Sequence, residues 1–168
     1  PATVVTALKN ADRTAYKPLF LGTWTSTDPD FFPMAKGLIR DRLVIQFPGG
    51  VPSDRSKGVK VLQALWKRYG TVKEFDASYW EGVVVGMIME RAFIRAKEKY
   101  GRIDASTINR AMEGFRNEEF GGLVPPVTYT ATEHGASFTA RMVRVSENGE
   151  FVPLTNFYVP GKEKIRML

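Results

Sequence analysis

The stretch from Ser78 to Gly101, SYWEGVVVGMIMERAFIRAKEKYG, is the longest helical signal in the chain and limits how everything else can pack. Ser78 and Glu81 have the S-x-x-E spacing of a capping box, in which the hydroxyl accepts from the N3 amide and the glutamate reaches back. Gly101 stands at the left-handed position that most often ends a helix. Between these caps, Gly82 to Met89 carries no charge and is apolar on every side, which predicts a core helix enclosed by other elements. From Arg91 onward the pattern turns amphipathic. Ala92, Ala96 and Tyr100 point inward, while Arg91, Arg95, Lys97 and Lys99 face water near the negative end of the macrodipole. Gly82 and Gly86, four apart, offer a flat strip to a close neighbour. Small-xxx-small spacing also marks membrane helices, but the uncharged run is far short of the ~20 residues a span needs.

Composition narrows the class. With 168 residues, 43% of them hydrophobic, the chain can bury a core in one large domain or two small ones. It begins at Pro1 with no initiator Met and no export signal to be read, which leaves a mature protein and a fragment both open. The absence of Cys rules out a disulfide framework and thiolate chemistry and leaves the compartment undecided. A net charge of +6 favours acidic partners only where the charge clusters. Lys and Arg instead alternate with Glu and Asp, apart from the tail Lys162, Lys164, Arg166. The expectation is therefore solvated faces and no nucleic-acid role.

Along the chain, Val4, Ala7, Leu8 and Ala11 recur at helix spacing within Ala2 to Ala11. Pro18 to Gly22, PLFLG, is a compact apolar run bounded by breakers, as a buried parallel strand would be. Thr23 to Thr27 forms a polar loop, and Asp28-Pro29 reads as an N-cap with proline at N1, starting a helix through Phe32, Ala35 and Leu38. Leu43 to Phe47 is the next strand. Pro48-Gly49-Gly50 is the strongest break in the sequence, where a crossing between lobes fits. Val59, Leu62, Trp66 and Tyr69 mark one face of a helix that ends at Gly70, and Asp104 caps another whose apolar face is Ile108, Ala111, Met112 and Phe115. The chain then becomes β-rich, with strands expected over Val127 to Thr130, Phe138 to Val145 and Phe151 to Val159. Asn148-Gly149 signals a two-residue hairpin between the last two.

Catalytic and metal motifs are missing from the sequence. The lone His134 with Glu133 beside it is no H-E-x-x-H pair, and no P-loop, G-x-G-x-x-G or G-x-S-x-G occurs. His134 reads as a turn residue bonding locally, and Glu118-Glu119 as solvated loop charge. No nucleophile, base and oxyanion donors assemble, so no catalytic residue, cofactor or metal is assigned.

The loop Thr23 to Thr27 points to binding instead. Ligands of open α/β sheets sit outside the carboxyl ends of the strands, and this loop leaves such an end with four hydroxyls, one indole and a helix N-terminus behind it. The hydroxyls offer directional donors and acceptors, Trp24 a flat apolar wall, and the amides around Asp30 and Phe31 a place for a carboxylate. Position alone does not separate this from a capped loop whose Trp plugs the core.

A resemblance bears on that choice. FLGTW, the AKGL helix, VIQFPGG, the Tyr69-Gly70 helix end, SYWEGVVVGMIMERA, DASTINRAMEGF, FGGLVPPVTYT followed by His134, and MVRVSENGEFVP occur in order at fitting spacings. The series resembles the C-terminal part of type 1 periplasmic solute-binding proteins, the substrate-binding components of branched-chain amino acid type ABC transporters. It covers nearly the whole chain. The resemblance implies an α/β fold of two lobes, each an open sheet flanked by helices, that close on a small ligand. Only its C-terminal half is present, so the N-terminal half of the same protein is an implied partner. It places residues 1–48 in lobe 2, 49–137 in lobe 1, and 138–168 on a β-rich return to lobe 2. Pro48, Gly49 and Gly50 become a hinge crossover, and Thr23, Trp24 and Thr25 in lobe 2 with Tyr79 in lobe 1 become the ligand contacts. It further implies a cognate ABC permease, a periplasmic or cell-surface lipoprotein location, no enzyme activity, and self-association of a lone half with exposed sheet edges. Branched-chain amino acid binders carry an acidic side chain where Trp24 stands. The resemblance implies a small carboxylate, amide or amino-acid-like solute, and because an indole cannot meet an α-ammonium group as a carboxylate does, a carboxylate or amide without an α-amino group, including an aromatic acid, is expected in preference to leucine, isoleucine or valine. Two other functions stay open, a cytoplasmic amide-sensing regulator of the same fold and a small α/β hydrolase using Glu133, His134 and a serine.

Overall fold

The computed structural model describes residues 2–28, 30–71, 77–135 and 139–159. Pro29, Phe138 and the basic tail named above lie outside the described residues. One sheet organises the chain, with β1 (Phe20–Thr23), β2 (Leu43–Phe47), β3 (Arg141–Val145) and β4 (Phe151–Pro153) side by side in that order. β1 and β2 run parallel, with Phe20 opposite Leu43. β3 lies antiparallel to β2, with Phe47 opposite Arg141, and β4 antiparallel to β3. β2 is the centre of the sheet, and Leu43, Val44, Ile45 and Phe47 are all buried, as an uninterrupted apolar run predicts. Val5 and Leu8 of α1 (Ala2–Asp12) join its core with Phe31, Phe32 and Ala35 of α2 (Phe31–Ala35). Each such side chain removed from water is worth about 1.5–3 kcal/mol.

β1 departs from expectation. It is an edge strand, and no strand among the described residues pairs with its outer side. Leu21 is 71% exposed, so the apolar run around it is not the buried strand that composition suggested. α2 is also shorter than the pattern implied. The helix begins at Phe31 with Asp30, not Asp28, in the cap position, although the Asp28 carboxylate accepts from the Phe31 amide at 3.1 Å, and it stops at Ala35 ahead of the left-handed Gly37.

α3 (Lys57–Tyr69) is capped by the Ser56 hydroxyl, which accepts from the Val59 amide. Val59 and Leu62 are buried, whereas Tyr69 is exposed, so the apolar face ends a turn earlier than predicted. Gly70 closes the helix in extended backbone, and a Cβ there would lie 2.3 Å from Cδ1 of the Trp66 indole, which leaves room for glycine alone.

α4 (Ala77–Tyr100) is the long helix read from the sequence. Gly101 ends it at φ 72°, its amide donating to the Lys97 carbonyl. Within the described residues the helix runs from Ala77, which puts Ser78 inside it instead of ahead of it. Trp80, Ile88, Ala92 and Ala96 are buried. The uncharged half is not enclosed: Gly82 and Gly86 are exposed with nothing near their Cβ positions, and Val85 is 53% exposed. No neighbour among the described residues occupies that strip.

α5 (Ala105–Met112) starts with a reciprocal box between Asp104 and Thr107, and the hydrogen bonds from the Thr107 amide and hydroxyl hold the Asp104 carboxyl below the usual range. A second cluster, Ile88, Ala92, Phe115, Phe120 and Val127, joins α4 to the segment after α5. Glu118 there is not solvated loop charge. Its carboxylate accepts from Arg91 and, at 2.8 Å, from Arg95. Burial pushes its pKa up, and those guanidiniums outweigh burial and hold it below the ordinary glutamate value.

The β-rich end is sparser than predicted. Val127 makes one isolated bridge, to Glu118, and Val127 to Thr130 forms no strand. Ser146 to Glu150 join β3 to β4, and Glu147 to Gly149 make the turn: the Gly149 amide donates to the Ser146 carbonyl, Gly149 sits at φ 77°, and the Ser146 amide donates to the Glu150 carbonyl. That is a type I turn followed by a left-handed residue. β4 stops at Pro153, which cannot donate to a ladder, and the Thr155 hydroxyl then takes the Met142 amide. Among the described residues, no helix is long and apolar enough to cross a membrane.

Candidate functional site

Thr23 ends β1, and the chain turns at once into a short 3-10 helix, Trp24–Ser26. The loop is tied to itself. The Thr23 and Thr25 hydroxyls lie 2.8 Å apart, and the buried Thr27 hydroxyl donates to the Trp24 carbonyl at 2.9 Å. These bonds fix the backbone beneath the half-buried Trp24 indole. Phe47 ends β2 next door, so both chain ends are carboxyl ends of parallel strands, where the sheet physics expects a ligand.

The first turn of α4 comes over the same place. Trp80 meets Trp24 edge to face, with ring centroids 6.3 Å apart, and lies 5.0 Å from Phe47. Trp80 is 4% exposed, and its Nε1 is buried without an acceptor among the described residues. Tyr79 packs instead against Trp66 of α3, centroids 5.6 Å apart. Thr23, Trp24 and Thr25 are thus brought together, and the aromatic that α4 sets against Trp24 is Trp80. Sequence reasoning passed over Trp80, although adjacent helical residues point about 100° apart and only one of the pair can face the loop.

The Phe31 amide, expected to be open to a carboxylate, is already used by Asp28, through both Oδ1 and the carbonyl oxygen. α2 therefore does not offer that donor. Pro48-Gly49-Gly50 leaves β2 beneath Trp80. A Cβ on Gly49 would lie 2.6 Å from the Leu123 carbonyl oxygen, and one on Gly50 2.6 Å from Val59 Cγ2, so both glycines are required by close packing. The Gly50 amide donates to Leu123. Just beyond, Asp54 accepts from the Val51 amide and pairs with Arg141, the residue opposite Phe47, so the segments leaving β2 and entering β3 are clamped together.

His134 lies far from this assembly in chemistry. It is exposed, and its Nε2 stands 3.7 Å from the Glu113 carboxylate, with no hydrogen bond to a serine hydroxyl among the described residues. Glu133 accepts from the Gly135 amide in the same turn.

No family model matches the sequence, and no curated protein matches it. Solved structures do match. One is a branched-chain amino acid ABC transporter protein from Thermus thermophilus with bound valine, at 22% identity and a TM-score of 0.79, covering 94% of this chain and 44% of that one. A fatty acid ABC transporter substrate-binding protein from Thermomonospora curvata matches at 18% identity and a TM-score of 0.82, covering 99% of this chain and 44% of that one. A possible leucine/isoleucine/valine-binding protein from Rhodopirellula baltica SH 1 matches at 20% identity and a TM-score of 0.74, covering 90% and 39%. The chain thus has the type 1 fold of ABC transporter substrate-binding proteins and spans less than half their length. At these identities the likeness is one of fold.

Proposed function

We propose that this chain is part of the ligand-binding component of an ABC importer, and that it holds a small solute between two lobes that close on it. The observation that carries this is the meeting of Trp24 with Trp80 outside the carboxyl ends of β1 and β2, in a fold shared with substrate-binding proteins. Thr23 and Thr25 supply hydroxyls and Trp24 an apolar wall, which the buried Trp80 backs edge to face. Tyr79 serves from behind, through its stack on Trp66.

The ligand class follows from what this wall lacks. Trp24 itself offers no carboxylate to pair with an α-ammonium group, and among the described residues beside it Asp28 is tied to the Phe31 amide. A carboxylate or amide without an α-amino group, attached to a flat or extended apolar body, fits two indoles better than valine or leucine does. Pro48-Gly49-Gly50 and the clamped segment beside it act as one of the crossovers between lobes. The remainder of the two-lobed protein completes the pocket, and a permease receives the ligand in the periplasm or at the cell surface.

Calorimetry on the complete protein against leucine, valine, benzoate-type acids and short amides tests this. Binding of an acid or amide that Trp24→Ala weakens about tenfold or more is the expected result. Tight leucine binding with Trp24 in contact would overturn the ligand class.

A further inference from the structure

The positive charge of this chain is less evenly spread than its sequence suggests. Arg91, Arg95 and Lys99 follow one another at four-residue spacing on α4, so they share a face, and like charges at that spacing disfavour the helix. Arg110 of α5 and Arg116 beyond it come to the same face. Arg95, Lys99, Arg110 and Arg116 line one cavity of about 380 Å3 with Ala111, Gly114 and Glu118.

Part of this charge has a structural use. Arg116 donates to the carbonyls of Glu113, Phe115 and Tyr129, and Arg95 to that of Gly114, which answers the negative end of α5. The one carboxylate in the lining, Glu118, is consumed by Arg91 and Arg95. Lys99 and Arg110 are left over. Neither meets a carboxylate among the described residues, and both lie against the Tyr100 ring, the Arg110 Cζ 4.5 Å and the Lys99 Nζ 5.6 Å from its centroid. Arg95 is likewise laid on Phe115, 4.7 Å from its centroid. A guanidinium resting over a ring keeps N–H groups free to donate, and its planar fork suits a phosphate.

We propose that this cavity between α4 and α5 is a second site, separate from the Trp24 loop, which binds a phosphate-type oxyanion through Lys99 and Arg110 with Arg95 and Arg116 at its walls. A dianion supplies the charge that Glu118 does not. Convergence on one small cavity, in place of a broad basic face, favours a single phosphate group over an extended acidic surface. The same chemistry is offered by free phosphate and by the headgroup of an anionic lipid.

The full chain is titrated with inorganic phosphate and, separately, mixed with phosphatidylcholine vesicles with and without phosphatidic acid. Backbone amide shifts around α4 and α5 and vesicle co-sedimentation are the readouts. The double variant Lys99→Gln/Arg110→Gln is expected to bind about tenfold or more weakly, at an unchanged melting temperature. Arg102→Gln, whose guanidinium pairs with Asp104 outside the cavity, should bind as the parent does. Shifts with free phosphate that vanish in the double variant support a soluble ligand, and binding only to phosphatidic acid vesicles with the same loss supports a lipid headgroup. The proposal is overturned if neither probe binds, if the double variant binds like the parent, or if Arg102→Gln loses as much.

Discussion

A Cβ built on Gly49 would stand 2.1 Å from Cζ2 of the Trp80 indole, so the first turn of α4 rests directly on the backbone that leaves β2. The ring cannot retreat, because Phe47 and Trp24 hold its other sides. Gly49→Ala should therefore lower stability by about 1–3 kcal/mol or more through overpacking. Gly82→Ala is the contrast. Nothing lies near that Cβ position, and replacing a mid-helix glycine should raise stability by about 0.5–1 kcal/mol. Urea midpoints of the two variants check the pair, and a harmless Gly49→Ala would refute the contact.

The Glu118 carboxylate, bound by Arg91 and Arg95, has a folded-state pKa below its ordinary one. In that case the unfolded chain takes up the proton first as pH falls. The stabilisation is complete above the ordinary glutamate range and is lost as pH drops through the lower folded value. Glu118→Gln should cost about 1 kcal/mol at neutral pH and flatten the acid limb of the stability curve. Denaturation followed between neutral pH and the acid range would show it. An unchanged acid limb would mean that the pair contributes nothing.

The outer edge of β1 and the exposed Leu19 and Leu21 beside it form an apolar strand edge, the kind that recruits another strand. The isolated chain is expected to self-associate in a concentration-dependent way, and Leu21→Lys should shift it toward monomer. Sedimentation equilibrium decides this. A parent chain that is monomeric at every concentration would count against a role for that edge.

Much of this protein is local enough to be legible in sequence. The caps at Asp104 and Gly101, the span Leu43–Phe47 and the inward run Ala92 and Ala96 follow from periodicity and from which side chains satisfy free backbone groups. Those are short-range effects, felt within one or two turns. What surrounds an element is not short-range. Whether Leu21 was buried depended on its sheet having a further strand, and whether Gly82 and Val85 were enclosed depended on a neighbour that the helix itself cannot specify. The same holds at the site. The hydroxyls of Thr23 and Thr25 beside Trp24 could be read from their spacing, but only the rotation of α4 over Phe47 decided that Trp80 would face them while Tyr79 turned to Trp66. The pairing of Glu118 with Arg91 and Arg95, 27 and 23 positions away, likewise needed two helices to pack before the charges could meet.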